Sequence, residues 1–117
     1  MSYENLQVYQ RAHAFGVACH AATLELPKYE LFESGSQLRR AAKSVSANIV
    51  EGYGRKAYAA DHARFLTIAL ASNDEAREWL RYIRECHPEQ ATRAAELEQE
   101  SAEIGRMLTA LIRATSR

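Results

Sequence analysis

The stretch from Ser36 to Arg55 constrains the fold of this chain more than any other. Apolar or small residues recur in it at steps of three and four, which is the spacing of one face of an α-helix. These residues are Leu38, Ala41, Ala42, Val45, Ile49 and Gly52. The stretch is therefore predicted to be an amphipathic helix that packs against other helices.

A polar stripe follows the same predicted helix, beside the apolar one. Its members also recur at steps of three and four residues. They are Gln37, Arg40, Ser44, Asn48, Glu51 and Arg55. A polar group buried between helices is costly unless it is hydrogen-bonded. The stripe is therefore interpreted either as a network that bonds to Ser72, Asn73 or Glu75 on another helix, or as an exposed binding surface.

Helical patterns cover most of the remaining chain, and its two prolines and the glycines of residues 52–54 fall near the ends of these patterns. Helices are predicted at about 3–26, 36–53, 59–86 and 89–114. A length of 117 residues suits one domain, covering residues 1–117. Four amphipathic helices with short links predict an all-α, antiparallel up-down-up-down four-helix bundle.

Each further helix has an expected core face. The face of the first helix comprises Leu6, Tyr9, His13, Val17, His20 and Leu24. The face of the third comprises Leu66, Ala69, Asn73, Ala76, Leu80 and Ile83, and that of the fourth comprises Leu97, Ser101, Ile104, Leu108 and Leu111. Ser34 or Ser36 is expected to cap the second helix, and Gly52 and Gly54 are expected to end it.

The charges of the chain cancel overall but not locally. Fifteen basic and fifteen acidic residues give a net charge of zero, whereas residues 34–64 carry six cations and two carboxylates, a net charge of +4. The six cations are the candidate nucleic-acid contacts: Arg39, Arg40, Lys43, Arg55, Lys56 and Arg64. Tyr53 and Tyr58 flank two of them and suit stacking with the bases of single-stranded RNA. The alternative is that the cations are solvated or form ion pairs with another subunit.

No pattern in the sequence supports catalysis, and no catalytic, cofactor-binding or metal-binding residue is predicted. No glutamate is followed three residues later by histidine, as carboxylate-bridged di-metal bundles require. The two Cys-His pairs that begin at Cys19 and Cys86 are poor zinc sites, because neighbouring residues on a helix point about 100° apart. An enzyme is not expected, and no cofactor is implied.

The location of the protein is inferred from patterns that the sequence lacks. Its first ten residues show neither the basic nor the apolar block of a secretory signal. No apolar run approaches the ~20 residues needed to cross a bilayer. Two distant cysteines give no disulfide framework. We therefore expect a cytoplasmic protein with no membrane partner.

Many of these residues form one spaced pattern. Pro27-x-x-Glu30 precedes Gln37-x-x-Arg40-Ala41-x-x-Ser44-x-x-x-Asn48-x-x-Glu51-Gly52-x-x-Arg55, and Arg64-Phe65-Leu66, Ala69, Ser72 and Glu75 follow. The pattern resembles the signature of the bacterial four-helix-bundle family, also called 23S rRNA-intervening-sequence proteins, over nearly the whole chain. The signature's polar positions are Gln37, Arg40, Ser44, Asn48, Glu51, Arg55, Ser72 and Glu75. Ser34, Ala57 and Ala71 depart from it, since the family usually has leucine, serine and glycine there.

The resemblance implies a four-helix bundle that assembles into a ring-shaped homopentamer. The chain is also similar to the accessory variability determinants of diversity-generating retroelements, which are pentamers that bind nucleic acid and a reverse transcriptase. We therefore expect a non-enzymatic, homo-oligomeric scaffold or accessory protein that binds RNA or DNA, with RNA favoured. The alternative is a structural or protein-protein interaction module without nucleic-acid binding, whose polar stripe is buried between helices or subunits.

Overall fold

The computed structural model describes residues 2–115, which contain four long α-helices, three short 3-10 turns and no strand. The helices are α1 (Gln7–Thr23), α2 (Ser34–Gly54), α3 (Ala59–Cys86) and α4 (Ala91–Thr115). The 3-10 turns are Tyr3–Asn5, Lys28–Phe32 and Pro88–Gln90. The third helix begins and ends at the predicted residues, whereas α1 is shorter than predicted because a separate turn precedes it and another follows Thr23.

The four helices enclose one core in a molecule of 45 × 20 × 20 Å. Each helix packs against the next along the chain, and α1 also packs against α4. Because α1 and α3 each contact both α2 and α4, α1 and α3 lie at opposite corners of the four-helix arrangement. No helix within residues 2–115 is both long and apolar enough to cross a membrane.

The predicted core faces of α2 and α3 are the buried ones. Every apolar or small residue predicted for the α2 face is buried, and so are all six residues predicted for α3. On α4, Leu97, Ser101, Ile104 and Leu108 are buried, and Leu111 packs at the edge of the core. Spacing alone located these faces because the opposite side of each helix is charged.

The predicted core face of the first helix is wrong for His13, Val17, His20 and Leu24, whereas Leu6 and Tyr9 do pack against the core. The buried residues of this helix are Val8, Ala12, Phe15, Gly16, Cys19 and Thr23. Val17 and the neighbouring Leu24 are each 59% exposed, and His13 and His20 face solvent. Since α1 is apolar on two sides, its spacing fits two faces equally well, and only packing against α2 and α4 selects one of them.

The predicted serine cap of α2 is also wrong. Glu33 precedes the helix without a capping side-chain bond, and Ser34 is its first residue. The Ser34 backbone N–H instead donates to the Glu30 carboxylate across 3.5 Å. Gly35 lies against the same turn, since a Cβ atom there would stand 2.7 Å from the Glu30 carbonyl oxygen. A carboxylate from the preceding turn therefore replaces the expected serine.

Gly52 serves helix packing rather than a left-handed helix end. No residue described has a positive φ, glycine included. A Cβ atom on Gly52 would stand 3.3 Å from both the His62 carbonyl oxygen and Phe65 Cβ on α3. Gly54 ends the helix as predicted, but its missing Cβ would contact nothing within 4 Å. The close approach of α2 to α3 therefore requires the first of these glycines and not the second.

Candidate nucleic-acid interface

The middle of the polar stripe joins α2 to α3. The Ser44 and Ser72 hydroxyl oxygens lie 2.9 Å apart across the helix interface. Asn48 Nδ2 donates to Ser44 Oγ across 2.9 Å and to the Ser44 carbonyl oxygen across 2.8 Å. All three residues are half-buried. The cross-helix contact from Ser44 was predicted, whereas Asn48 bonds within α2 and not to α3.

The ends of the polar stripe are exposed and do not extend this network. Glu51 pairs with Arg55 across 3.5 Å, one turn further along the helix. Gln37 and Arg40 face solvent. Glu75 accepts a hydrogen bond of 3.0 Å from Trp79 Nε1 on its own helix. The stripe therefore divides into a half-buried centre and two solvent-facing ends.

Two of the predicted cations meet at the turn between α2 and α3. Arg55 lies 3.6 Å from the Asp61 carboxylate, and Arg64 lies 4.0 Å from it. The guanidinium carbons of Arg55 and Arg64 also stand 4.8 and 4.6 Å from the centre of the Phe65 ring. Asp61 lies between the two exposed guanidinium groups and Glu51 pairs with Arg55, so these four charges cancel and Lys56 makes the turn basic. The planar faces of the guanidinium groups are held by the ring.

Lys56 and two tyrosines extend this basic turn. Lys56 Nζ donates to the Tyr53 hydroxyl across 2.9 Å and lies 4.1 Å from the centre of its ring. Tyr58 is 70% exposed and lines an open groove of about 550 Å³ together with Arg55 and Asp61. Burial lowers the pKa of the adjacent His62, and the nearby Lys56 charge lowers it further. The turn thus presents cations beside an exposed aromatic ring.

The remaining predicted cations lie in the first half of α2. The side chains of Arg40 and Lys43 are exposed, and neither forms a hydrogen bond or ion pair within residues 2–115. Arg39 instead points inward, where it donates to Thr23 Oγ1 across 2.9 Å and to the Leu31 carbonyl oxygen across 2.8 Å. Fifteen residues separate Arg40 from Arg55, or roughly 22 Å of helix. The cations therefore form two separate groups and not one cluster.

Sequence reasoning missed a buried polar contact between α3 and α4. Asn73 Nδ2 donates to the Ser101 carbonyl oxygen across 2.8 Å, and Ser101 Oγ donates to Asn73 Oδ1 across 3.0 Å. Gly105 makes room for the amide, since a Cβ atom there would stand 3.3 Å from Asn73 Nδ2. The sequence did carry a signal for this contact, because Asn73 and Ser101 are polar residues within the predicted core faces of the third and fourth helices.

A buried contact between a carboxylate and an imidazole closes the end of the molecule opposite the basic turn. His87 Nε2 lies 2.7 Å from Glu30 Oε2, and their side chains are only 8% and 10% exposed. Burial by itself raises the pKa of Glu30, but hydrogen bonds from His87 and Ser34 outweigh it, so the pKa lies below the ordinary 4.5. Glu30 belongs to the family pattern, whereas nothing in the sequence pairs it with His87.

The two cysteines lie in different environments. Cys19 is buried, which raises the pKa of its thiol to about 12, while Cys86 is exposed. The histidines that follow the two cysteines in the sequence also differ, since His20 is exposed and His87 is buried. Within residues 2–115 no group of three or more His, Cys, Asp or Glu side chains is placed to hold a metal ion.

The fold and the polar stripe define a four-helix, all-α protein with a signature along α2. Residues 4–110 match the 23S rRNA-intervening sequence protein family. The chain belongs to this family. No curated protein matches it.

A solved structure shares the fold. It is the 1.70 Å crystal structure of a protein of unknown function from the S23 ribosomal protein family of Bacteroides thetaiotaomicron VPI-5482. The two chains are 23% identical and superpose with a TM-score of 0.79, over 91% of this chain and 95% of the other. At this identity the likeness supports the fold alone.

Proposed function

We propose that this protein is a non-enzymatic, homo-oligomeric accessory protein of the cytoplasm that binds nucleic acid, RNA first, through the exposed cations of α2 and of the turn after it. The observation that carries the proposal is that the Arg40 and Lys43 side chains are exposed without internal partners. Arg55 and Arg64 are exposed as well, beside Glu51 and Asp61. Cations of this kind are available to phosphates, and each contact releases bound counterions from the nucleic acid.

The proposed protomer is an antiparallel up-down-up-down bundle. Support comes from the order of contacting residues, since later residues of one helix meet earlier residues of the next. The contacting pairs are Ser44–Ser72 and Gly52–Phe65 between α2 and α3, and Asn73–Ser101 and Arg84–Glu98 between α3 and α4. This order is that of antiparallel neighbours joined by short links.

The proposed assembly is a ring of five copies. A single net-neutral protomer has few cations to offer, whereas a ring repeats the +4 segment around its circumference. Once one protomer of a ring has bound a nucleic acid, the other protomers are held close to the same molecule. Their weak contacts therefore raise the overall affinity without any new contact within a protomer. Oligomerisation and nucleic-acid binding are thus linked in the proposal.

The test is RNA binding by purified, nuclease-treated protein, titrated from about 50 to 200 mM salt. The double variant Arg40→Ala/Lys43→Ala should weaken binding and reduce the slope of log affinity against log salt by about 1.5 to 2 for each protomer in contact. A structured RNA, a single-stranded RNA and a DNA duplex should be compared.

The matched control removes the same charge elsewhere. Lys28→Ala/Arg93→Ala also deletes two exposed cations, and it should leave the salt slope unchanged. Equal slopes for both double variants would contradict the assigned residues. Absence of binding at the lowest salt would contradict the nucleic-acid function.

A second candidate function is a protein-interaction module without nucleic acid. The half-buried contact among Ser44, Asn48 and Ser72 favours it, because these signature residues act within the protomer. Under this alternative, Asn48→Leu should change the assembly state or the melting temperature, and no RNA should bind to the unaltered protein.

A further inference from the structure

Three aromatic rings lie at the basic turn, and they differ in what covers them. The Lys56 ammonium group stands 4.1 Å from the centre of the Tyr53 ring, and two guanidinium groups lie over the Phe65 ring. The Tyr58 ring is 70% exposed and makes no ring-ring or cation-ring contact in the described part of the chain. Unpaired bases of single-stranded RNA stack on exposed aromatic rings. Tyr58 is therefore available to such a base.

Tyr58 lines a groove between the end of α2 and the start of α3. The groove volume of about 550 Å³ lies within the range of small-molecule sites. Gly54 leaves the groove open, since a Cβ atom there would contact nothing within 4 Å. Asp61 also lines the groove, and the His62 N–H donates to the Tyr58 carbonyl oxygen across 2.9 Å. The exposed ring and the Asp61 carboxylate therefore belong to one helical turn, beside a space that suits one nucleotide.

The Asp61 carboxylate is only loosely paired. Its oxygens lie 3.6 Å from Arg55 and 4.0 Å from Arg64, which is longer than a hydrogen bond. The Arg84–Glu98 pair, in contrast, measures 2.7 Å, as a charge-assisted hydrogen bond does. The Asp61 oxygens are therefore free to accept hydrogen bonds from a ligand, with a guanidinium group directly beside them.

We propose that this groove binds an unpaired guanine of single-stranded RNA. The base stacks on Tyr58, the Asp61 carboxylate accepts hydrogen bonds from guanine N1–H and N2–H, and Arg55 donates to guanine O6. The Phe65 ring holds the face of the Arg55 guanidinium group, which leaves the N–H groups at its edge to donate. A base within a duplex is excluded, because its Watson–Crick edge is already paired and its faces are stacked.

The choice of guanine follows from the order of donors and acceptors along its edge. Guanine presents two adjacent N–H donors, and its O6 and N7 acceptors come next. A carboxylate beside a guanidinium group offers the complementary order. Adenine and cytosine each present one amino donor next to a ring nitrogen acceptor, and uracil presents one N–H between two carbonyl oxygens. Each of these three bases would turn an acceptor toward a carboxylate oxygen, which is unfavourable.

This inference rests on the proposed RNA binding and names the base that is read. The probes are short oligouridines with guanosine, adenosine, cytidine or uridine at one central position, and fluorescence anisotropy measures their affinity at low salt. The guanosine probe should bind about tenfold more tightly than the other three, as expected for one bidentate base contact. A probe with inosine, which lacks the N2 amino group, should lose most of this preference. The inosine probe tests the contact without altering the protein.

Two matched variants test the carboxylate. Asp61→Asn keeps the shape of the side chain but replaces one acceptor by a donor, so it should abolish the preference for guanosine. Glu51→Gln removes the same charge from the opposite side of the groove. It should strengthen binding of all four probes alike and keep the preference. Melting temperatures of both variants verify that they fold.

Two further variants test the stacking. Tyr58→Ala should weaken binding of every probe about tenfold, whereas Tyr58→Phe, which keeps the ring, should bind as the unaltered protein does. Tyr29→Ala removes another exposed tyrosine, outside the groove, and should leave all affinities unchanged. Equal affinities of Tyr58→Ala and Tyr29→Ala would overturn the stacking on Tyr58.

The outcomes separate this inference from the proposed function. Binding of all four base probes with equal affinity would overturn the guanine site and leave the proposed RNA binding standing. A preference for guanosine that survives in Asp61→Asn would overturn the assignment of the carboxylate. Absence of binding to any probe at the lowest salt would overturn the proposed function and the inference with it.

Discussion

The two ends of α2 use the same kinds of charged residue in opposite ways. At its beginning, Arg39 donates to Thr23 and Leu31, and the nearby Glu30 is buried against His87. At its end, Arg55 and Glu51 form a pair whose side chains are 45% and 58% exposed. The first end is held together by enclosed polar contacts, and the second presents charge to solvent.

This difference shows that burial decides the role of a charged residue. A buried pair leaves a costly unpaired group when one partner is removed. An exposed pair is worth about 0 to 1 kcal/mol, because water and salt screen it. The beginning of α2 is therefore expected to govern stability, and its end is expected to be available to a ligand.

The largest expected effect comes from removing Glu30. Glu30→Ala should lower the free energy of unfolding by about 3 kcal/mol, because it leaves His87 buried without its partner and removes the acceptor of the Ser34 N–H. Chemical denaturation measures the loss. A double-mutant cycle with His87→Ala isolates the coupling, and a value near zero would show that the pair does not hold this end.

The next effect compares two glycines of α2. Gly35→Ala should destabilise the protein by about 2 kcal/mol, because its Cβ would stand 2.7 Å from a backbone oxygen. Gly54→Ala should stabilise it by about 0.5 kcal/mol, since its φ is not positive and the space is open. Melting temperatures of both variants give the comparison. A change of melting temperature in the same direction for both variants would contradict the expected difference between the two glycines.

A smaller effect is expected from pH. Because the pKa of Glu30 is lowered on folding, the unfolded chain binds its proton more readily. The contribution of the Glu30 carboxylate to the free energy of unfolding is fully present above the ordinary pKa of 4.5. It is lost as pH falls through the lower pKa that Glu30 has in the folded protein. Unfolding measured from neutral to acidic pH should therefore show a steeper loss for the unaltered protein than for Glu30→Gln. Parallel curves would refute this assignment.

The smallest effect is expected at the exposed end. Glu51→Ala should change the free energy of unfolding by about 0.5 kcal/mol or less, since its pair with Arg55 is solvated. The same variant removes a negative charge beside the basic turn and should strengthen RNA binding at low salt. A large loss of stability would mean that the two ends of α2 do not differ as described.

Prediction from sequence succeeded where a helix has one apolar side. Leu66, Asn73 and Ile83 were assigned to the core of α3 by spacing alone, and all are buried. It failed for α1, where Val17 was assigned to the core and Phe15 was not. Periodicity identifies a face only when the opposite side is polar, and α1 has two uncharged sides.

The candidate interface was predicted in part. The contact between Ser44 and Ser72 was predicted as a bond from the polar stripe of α2 to Ser72, Asn73 or Glu75. The inward course of Arg39 was not predicted, because its partners Thr23 and Leu31 come from other segments. The same limit applies to the pair of Asn73 with Ser101, in which each residue alone resembles an isolated polar group in a core.

The sequence by itself determined four amphipathic helices, their main breaks, three of the four core faces and the family signature. These are local properties, since spacing, proline and charge act within one or two helical turns. The tertiary structure alone decided which side of α1 is buried, that Glu30 meets His87, and which cations remain exposed. Each of these depends on segments far apart in the chain, and the contact between them has no periodic trace in the sequence.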